Sequence, residues 1–179
     1  LTCAATGVAN AALDSIPMVV IAGDVPSYYH GRHPHQEINL HQDADQFQVY
    51  RPFCKRVYRV DRAEDLPRVM ERAFHLAQSG RPGPVLVDIT KDAQQATALF
   101  DFEAARPKPY RPHPMLGFND AELTRAAELI RESKRPVILA GHGVMESGAM
   151  EQIRSLAERA EIPVGLTLLG LGPFLPRIR

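Results

Sequence analysis

Four histidines lie close together in a polar stretch near the start of the chain, and imidazole is a common ligand of metal ions. His30, His33, His35 and His41 follow an apolar run of strand length, but their spacing matches no usual zinc pattern and no CxxC pair lies nearby. We therefore predict no metal site in this stretch.

Two basic residues flank a second apolar run of strand length. Arg81 precedes the sequence PVLVDIT, and Lys91 follows it directly. Ligands of open α/β sheets bind beyond the carboxyl ends of the strands, which is the position of Lys91. On spacing alone we favour solvated surface charge for both residues, because that is the usual role of Lys and Arg.

A glycine-rich turn follows the apolar run PVILA. Gly141-His142-Gly143 precedes a helical stretch, and backbone amides with a helix dipole at such a position favour phosphate. Two glycines also form an ordinary turn between a strand and a helix, so the motif alone leaves a ligand-binding role open. The sequence contains no Walker loop, GxSxG elbow, HExxH or complete GxGxxG.

The composition argues against several classes of partner. The 179 residues contain 21 Lys and Arg and 21 Asp and Glu, so the net charge offers no attraction for nucleic acid or an anionic membrane. No apolar run approaches the roughly 20 residues of a membrane helix. Cys3 and Cys54 are too few for a disulfide framework and fit a reducing compartment. We expect a cytoplasmic protein that binds a small molecule.

Strand-like runs alternate with helical patterns along the chain, which predicts an α/β fold with parallel sheets and flanking helices. The predicted strands cover residues 17–22, 56–60, 84–90, 136–140 and 163–167. The predicted helices cover residues 2–14, 45–50, 67–79 and 147–160, and one more begins after Asn119, which with Glu122 has the spacing of a capping box.

Helical spacing also places apolar side chains together on one face of two of these helices. In helix 67–79 these are Val69, Met70, Ala73, Phe74 and Ala77. In the helix after Asn119 they are Leu123, Ala126, Ala127 and Ile130. The proline-rich residues 98–118 lie between the two parts and predict an extended linker at a domain boundary.

Several motifs together resemble one family. SGRPGPVLVDITKD at residues 79–92 is similar to the segment that closes the pyrimidine-binding domain of the acetolactate synthase family, which depends on thiamine diphosphate. Further similar segments follow the family's order and cover nearly the whole chain: TGVANAALDSIPMVVIAGDVP at 6–26, RPFCK at 51–55, RPVILAGHGV at 135–144 and IPVGLTLLGLG at 162–172. The chain therefore resembles an internal fragment of such a large subunit.

The resemblance implies a division into two partial domains. Residues 1–97 would be the C-terminal half of the pyrimidine-binding domain, and residues 98–118 the linker. Residues 119–179 would be the N-terminal part of a Rossmann-like central domain that binds FAD or another nucleotide. The activating glutamate and the diphosphate domain with its Mg²⁺ ligands would lie outside this chain, so we expect these 179 residues alone to be inactive.

The resemblance also implies roles for individual residues. Arg81 matches an FAD-contacting arginine, and Lys91 matches a lysine at the pocket entrance that would steer an anionic substrate. The other residues at cofactor-binding positions are Gly141, Gly143, Thr167 and Leu168, which match the family, and Cys3, which stands where the family usually has Asn. His142 stands where the family has a glycine of close backbone approach, which leaves the binding of FAD open.

One family glutamine, which faces the reacting centre, has two candidates here. Counting forward from Val25-Pro26 selects Gln36, whereas counting back from Arg51-Pro52 selects Gln42. The two copies lie six residues apart, which indicates an insertion or duplication in this loop. We prefer Gln42.

The implied activity is a carboligase or decarboxylase of 2-oxo acids, such as the conversion of pyruvate to 2-acetolactate in branched-chain amino acid biosynthesis. Thiamine diphosphate and Mg²⁺ would be its cofactors, FAD stays open, and the protein would be at least a homodimer. Glyoxylate carboligase, oxalyl-CoA decarboxylase and benzoylformate decarboxylase are alternatives within the superfamily. A non-catalytic nucleotide-binding or assembly module is the alternative of another class.

Overall fold

The computed structural model describes residues 1–32, 46–101 and 119–171. The chain divides into two compact units, Leu1–Met115 and Leu116–Arg179, which are described separately below. The predicted linker at 98–118 falls largely outside the described residues, and its bounds stay a prediction.

In residues 1–32 and 46–101, the first unit contains three strands and three α-helices, joined by short 3-10 turns. In chain order they are α1 (Ala5–Leu13), β1 (Met18–Asp24), β2 (Arg56–Val60), α2 (Leu66–Gln78), β3 (Pro84–Thr90) and α3 (Lys91–Gln95). The described 3-10 turns are Thr2–Ala4, Ser27–Tyr29, Gln46–Tyr50 and Ala63–Asp65.

The three strands form one parallel sheet in the order β1-β3-β2. Met18 pairs with Pro84 and Asp24 with Thr90, so β1 and β3 match along their whole length. Arg59 of β2 pairs with Asp88 of β3. A central parallel strand is covered on both faces, which explains why β3 reads as a nearly continuous apolar run and was recognisable in the sequence. The predicted parallel α/β architecture is thereby confirmed.

Each face of this sheet carries its own apolar cluster, because successive side chains of a strand point to opposite sides. On one face, Leu86 packs with Val8 of α1 and with Tyr50, which is fully buried. On the other face, Val85 and Val87 pack against α2. On the apolar face of α2, Ala73 and Ala77 are buried, whereas Phe74 is 41% exposed.

Lys55 of the motif RPFCK closes the carboxyl end of α2. Its ammonium group donates hydrogen bonds to the carbonyl oxygens of Leu76 and Ser79. A cation at this end of a helix satisfies carbonyls that lack partners within the helix. Burial lowers the pKa of Lys55. The lysine of this motif therefore holds α2 against the start of β2.

The second unit, described over residues 119–171, contains there a two-stranded parallel sheet and three α-helices. In chain order they are α4 (Asp120–Glu132), β4 (Ile138–Ala140), α5 (His142–Glu146), α6 (Met150–Ala160) and β5 (Val164–Leu166), followed by a 3-10 turn at Leu168–Gly170. Asn119 caps α4 as predicted, since its side-chain oxygen accepts a hydrogen bond of 3.0 Å from the Ala121 amide.

One prediction for the second unit is wrong. The stretch 141–143 is not a free turn before a helix at Ser147, because α5 already begins at His142 and a break at Gly148, with φ of +67°, separates it from α6. On the predicted apolar face of α4, Leu123 and Ile130 are 49% and 41% exposed. Helical spacing identified the apolar stripe but could not say whether another element of the described chain covers it.

Candidate functional site

The carboxyl edge of the first sheet brings together the ends of β1 and β3. Asp24 ends β1, Thr90 ends β3, and the two residues are paired in register. Lys91 follows at once as the exposed first residue of α3. The segment after Asp24 leaves the same edge and leads into residues 33–45, which contain Gln36 and Gln42. Both glutamines lie outside the described residues, so the choice between them stays a prediction.

A hydrogen-bonded clamp joins that departing segment to α3. The Asp92 carboxylate accepts one hydrogen bond of 2.9 Å from the Ser27 amide and a second from the Ser27 hydroxyl. The hydroxyl bond of Ser27 is the main reason that the pKa of Asp92 lies well below its usual range. Asp92 is therefore ionised at neutral pH, and it ties the start of the loop to the residue next to Lys91.

A second clamp crosses the sheet from β2 to β1. The Arg59 guanidinium lies 2.8 Å from Asp24 Oδ2, and His30 Nε2 lies 3.3 Å from the same oxygen. The other oxygen of Asp24 accepts a hydrogen bond of 2.8 Å from the Val25 amide. The Arg59 guanidinium also lies over the ring of Phe47, 5.4 Å from its centroid. One oxygen of Asp24 therefore contacts Arg59 and His30, and the other accepts from the amide of Val25, the first residue after β1.

Two buried polar residues lie beneath this clamp. Asp88 is 3% exposed and Thr90 is fully buried. Register partners in a parallel sheet present their side chains to the same face, so Arg59, Asp88 and Asp24 share one face.

Of the residues in the two clamps, only His30 was a candidate from the sequence, and there as a metal ligand. Asp24 could have been suspected, because it stands where a buried strand ends at a ligand-binding edge. The partners Arg59 and Asp92 are separated from Asp24 and Ser27 by 35 and 65 residues. Contacts over such distances carry no local sequence signal.

Cys3 lies in the 3-10 turn before α1 and is exposed. Since α1 leads through four residues into the amino end of β1, its first turn points toward the carboxyl edge. The Tyr50 hydroxyl donates a hydrogen bond to the carbonyl oxygen of Leu1 and holds this turn in place. The turn that carries Cys3 therefore lies on the side of the sheet where Lys91 is found.

Arg81 lies at the opposite end of β3 from Lys91. Its Nε donates to the Ser15 hydroxyl at 2.8 Å, and its Nη2 donates to the Leu13 carbonyl oxygen at 3.1 Å. Ser15 has a positive φ of 58°, so Arg81 stabilises the left-handed turn that ends α1. The structure thus places Arg81 away from the carboxyl edge and gives it a role within its own unit.

The predicted cofactor residues of the second unit do come together. The Thr167 amide donates to the Ala140 carbonyl oxygen at 3.0 Å, at the carboxyl ends of β4 and β5. A Cβ on Gly141 would lie 3.5 Å from Thr167 Oγ1. Leu168 is 83% exposed, and a Cβ on Gly143 would meet no atom within 4 Å. The carboxyl edge of this sheet therefore presents accessible backbone at Gly143 and the exposed apolar side chain of Leu168. Such a surface suits a flat ligand such as a nucleotide.

His142 pairs with the last residue of its own short helix. Its Nε2 lies 2.9 Å from Glu146 Oε1, four residues further along α5. The imidazole is thereby directed along the helix, and the open space at Gly143 is kept. The histidine at this position is therefore compatible with a ligand at the edge.

The described residues contain no cluster of three or more His, Cys, Asp or Glu that could hold a metal ion. Of the four histidines in the polar loop, His30 contacts Asp24, and the other three lie outside the described residues. Across 1–32, 46–101 and 119–171, no helix has both the length and the apolar character needed to cross a bilayer.

Comparison with known families and proteins gives concordant matches. The family described as "Thiamine pyrophosphate enzyme, N-terminal TPP binding domain" matches residues 1–47, and "Thiamine pyrophosphate enzyme, central domain" matches residues 123–177. The chain is 41% identical over 172 residues to acetolactate synthase isozyme 1 large subunit of Escherichia coli, covering 96% of this chain and 28% of that protein.

Relatives from distant organisms show the same degree of similarity. The chain is 37% identical over 174 residues to the acetolactate synthase large subunit of Buchnera aphidicola from Schizaphis graminum, which covers 97% of the chain and 29% of that protein. It is 41% identical over 170 residues to the chloroplastic acetolactate synthase of Arabidopsis thaliana, which covers 94% of the chain and 24% of that protein. The chain thus spans less than a third of the length of these relatives.

Proposed function

The chain belongs to the thiamine pyrophosphate enzyme family, and we propose that its protein is a carboligase or decarboxylase of 2-oxo acids of the acetolactate synthase type. The observation that carries the proposal is the 41% identity to an acetolactate synthase large subunit over 96% of this chain. The parallel sheet with a polar carboxyl edge supports it, because ligands of such sheets bind there.

Thiamine diphosphate, when bound, supplies the nucleophilic carbon and the electron sink for decarboxylation of a 2-oxo acid. The residues of this chain bind the substrate and orient it against the cofactor. Lys91 is exposed at the carboxyl edge, where its ammonium group attracts the carboxylate of the incoming substrate. Gln42, with Gln36 as the alternative, donates a hydrogen bond toward the reacting carbonyl group. Cys3 lies along the cofactor side of α1.

In the second unit, we assign a nucleotide such as FAD to the edge formed by Gly141, Gly143, Thr167 and Leu168. The glycines would give backbone access, and Leu168 would cover an apolar ring.

The assembly and compartment are part of the same proposal. We expect at least a homodimer in the cytoplasm, with Mg²⁺ as the second cofactor. Acetolactate synthase forms 2-acetolactate from pyruvate and leads to branched-chain amino acids, and this is the reaction we propose first.

The deciding experiment uses the protein expressed from its whole gene. With thiamine diphosphate and Mg²⁺ present, we expect consumption of pyruvate and formation of 2-acetolactate, both lost when thiamine diphosphate is omitted. A visible flavin spectrum after purification would support FAD at the second unit. Turnover should be compared for four substrates: pyruvate, glyoxylate, oxalyl-CoA and benzoylformate. Turnover of glyoxylate alone, oxalyl-CoA alone or benzoylformate alone would assign the protein to another branch of the superfamily. Failure to turn over any of the four would favour a non-catalytic nucleotide-binding or assembly module.

A further inference from the structure

A pocket of about 330 Å³ lies at the amino end of β2, on the opposite edge of the first sheet from Lys91. Its walls are formed by Arg51, Cys54, Lys55, Arg56 and Val57. Small-molecule sites in proteins occupy roughly 300 to 1,000 Å³, so the pocket has the size for a small ligand. No proposed role in catalysis or cofactor binding falls on its walls.

The walls of this pocket carry three basic side chains and no carboxylate. The Lys55 ammonium group is engaged with carbonyl oxygens at the end of α2, whereas Arg51 and Arg56 are both exposed. Within residues 1–32, 46–101 and 119–171, neither guanidinium lies within ion-pair distance of a carboxylate. Like charges around one cavity repel one another, and a bound anion would remove that repulsion.

The turn that precedes β2 brings the two arginines to the same pocket. The Cys54 amide donates to the Tyr50 carbonyl oxygen at 2.9 Å, so the turn closes around Arg51. Arg56 is the first residue of β2, and its guanidinium lies over the Tyr58 ring, 5.7 Å from the centroid. An arginine placed over an aromatic ring has lost part of its side-chain freedom, which lowers the entropic cost of a further hydrogen bond.

The Cys54 thiol adds no negative charge to the pocket at neutral pH. Its side chain is half-buried, and burial raises the pKa of Cys54 to about 11. A thiolate beside the two arginines would compete with an external anion for them, whereas the neutral thiol does not. The basic character of the pocket is therefore open to a ligand.

From this pocket we propose a binding site for a small phosphate-bearing anion, held by the guanidinium groups of Arg51 and Arg56. A guanidinium group presents paired N–H donors that match the oxygens of a phosphate group. Free phosphate and the phosphate monoester of a small metabolite share this chemistry. The site is independent of the proposed function, because it lies at the edge of the sheet away from Lys91.

Cys54 can report on the occupancy of the site, because it lines the pocket. The protein is expressed from its whole gene and kept saturated with thiamine diphosphate and Mg²⁺, so that phosphate cannot occupy the coenzyme site. Alkylation of the Cys54 peptide by iodoacetamide at pH 9 is followed by mass spectrometry. In 10 mM inorganic phosphate we expect it to be at least about fivefold slower than in sodium chloride of equal ionic strength. A bound anion would cover the thiol and would disfavour its thiolate.

Variants of the two arginines locate the bound anion. In Arg51→Gln with Arg56→Gln, protection of Cys54 should fall below about 1.5-fold, and in Arg51→Lys with Arg56→Lys it should be partly restored, because lysine keeps the charge but not the paired donors. Arg62→Gln serves as the control and should keep the protection of wild type, since Arg62 is an exposed arginine of the same unit that pairs with Glu64. Each variant is compared with itself in the two salts, so that a change in the pKa of Cys54 cancels.

The outcomes separate the site from its ligand. Alkylation of wild type at the same rate in both salts would overturn the site. Protection that survives Arg51→Gln with Arg56→Gln would overturn its location. Glycerol 3-phosphate is the second probe: half-maximal protection at a concentration at least about threefold below that of inorganic phosphate would assign a phosphate monoester as the ligand. An equal or higher concentration would assign free phosphate.

Discussion

The Arg59 guanidinium lies 2.8 Å from the Asp24 carboxylate, although the strands that carry them are separated by β3. The side chains of both residues are less than a quarter exposed. The ion pair therefore spans the central strand and joins its two neighbours at the carboxyl edge.

Removing one member of this pair should destabilise the first unit. Arg59→Leu leaves the carboxylate of Asp24 without its guanidinium, so we expect a loss of about 1 to 3 kcal/mol in the free energy of unfolding. Arg62→Leu is the matched control, since Arg62 and Glu64 are 3.7 Å apart and mostly exposed, and it should change stability by less than about 0.5 kcal/mol. Urea denaturation followed by circular dichroism measures the free energy of unfolding of both variants. Equal losses in the two variants would show that the Arg59–Asp24 pair adds no more stability than an exposed ion pair.

The sequence predicted the sheet of the first unit closely. The strands at 56–60 and 84–90 have the observed bounds, because alternation and a continuous apolar run are local signals that burial reinforces. The start of α5 at His142 was missed, since two glycines within three residues favour a turn and only tertiary contacts of Gly141 with the end of β5 show where the helix begins.

The candidate site was predicted only in part. Lys91 could be placed at the carboxyl edge because it directly follows a strand, and position relative to a strand is a local property. The Ser27–Asp92 clamp could not be predicted, because it joins residues far apart in the chain. The bonds of Arg81 to Ser15 and Leu13 could likewise not be predicted from its motif, because they join residues far apart in the chain.

The stabilising effect of Asp92 should depend on pH in a defined direction. Its pKa in the folded protein is lowered, chiefly by the Ser27 hydroxyl, so its contribution is complete above the unfolded pKa of about 4 and is lost as the pH falls further. The difference in unfolding free energy between wild type and Asp92→Asn should be constant above about pH 5 and shrink below about pH 4. Denaturation at a series of pH values measures it, and a difference that grows toward low pH would contradict the assignment.

Cys54 should react slowly with thiol reagents at neutral pH. Burial raises the pKa of Cys54 to about 11, so the thiolate is about a hundredfold scarcer at pH 8 than for an ordinary cysteine. In a Cys3→Ser variant, we expect alkylation by iodoacetamide about a hundredfold slower than for a cysteine peptide, with a rate that rises up to about pH 11. Peptide-like rates at pH 8 would disprove this.

Two glycines at the edge of the second unit should respond to alanine in opposite ways. A Cβ on Gly170 would lie 2.4 Å from the Ala140 carbonyl oxygen and 3.1 Å from Gly141 Cα, so Gly170→Ala should cost about 1 to 3 kcal/mol of stability. A Cβ on Gly143 meets no atom within 4 Å, and this residue is helical, so Gly143→Ala should be neutral or stabilise by up to about 1 kcal/mol. Thermal unfolding distinguishes the two variants.

Gly143→Ala should also weaken FAD binding if a flavin approaches this backbone, and unchanged flavin content would remove Gly143 from that site.

Lys91 should act on the encounter with the substrate through its charge. The side chain is exposed at the carboxyl edge, so Lys91→Gln should lower kcat/KM for pyruvate about three- to tenfold at low ionic strength. The difference from wild type should narrow as salt is raised toward about 0.5 M, because exposed charges are screened over a few ångströms at that concentration. Lys134→Gln is the control, since it removes an equally exposed lysine from the second unit and should leave kcat/KM unchanged at every salt concentration. A loss in Lys91→Gln that persists undiminished at high salt would show that the ammonium group contacts the substrate directly, and long-range steering would then be the wrong explanation.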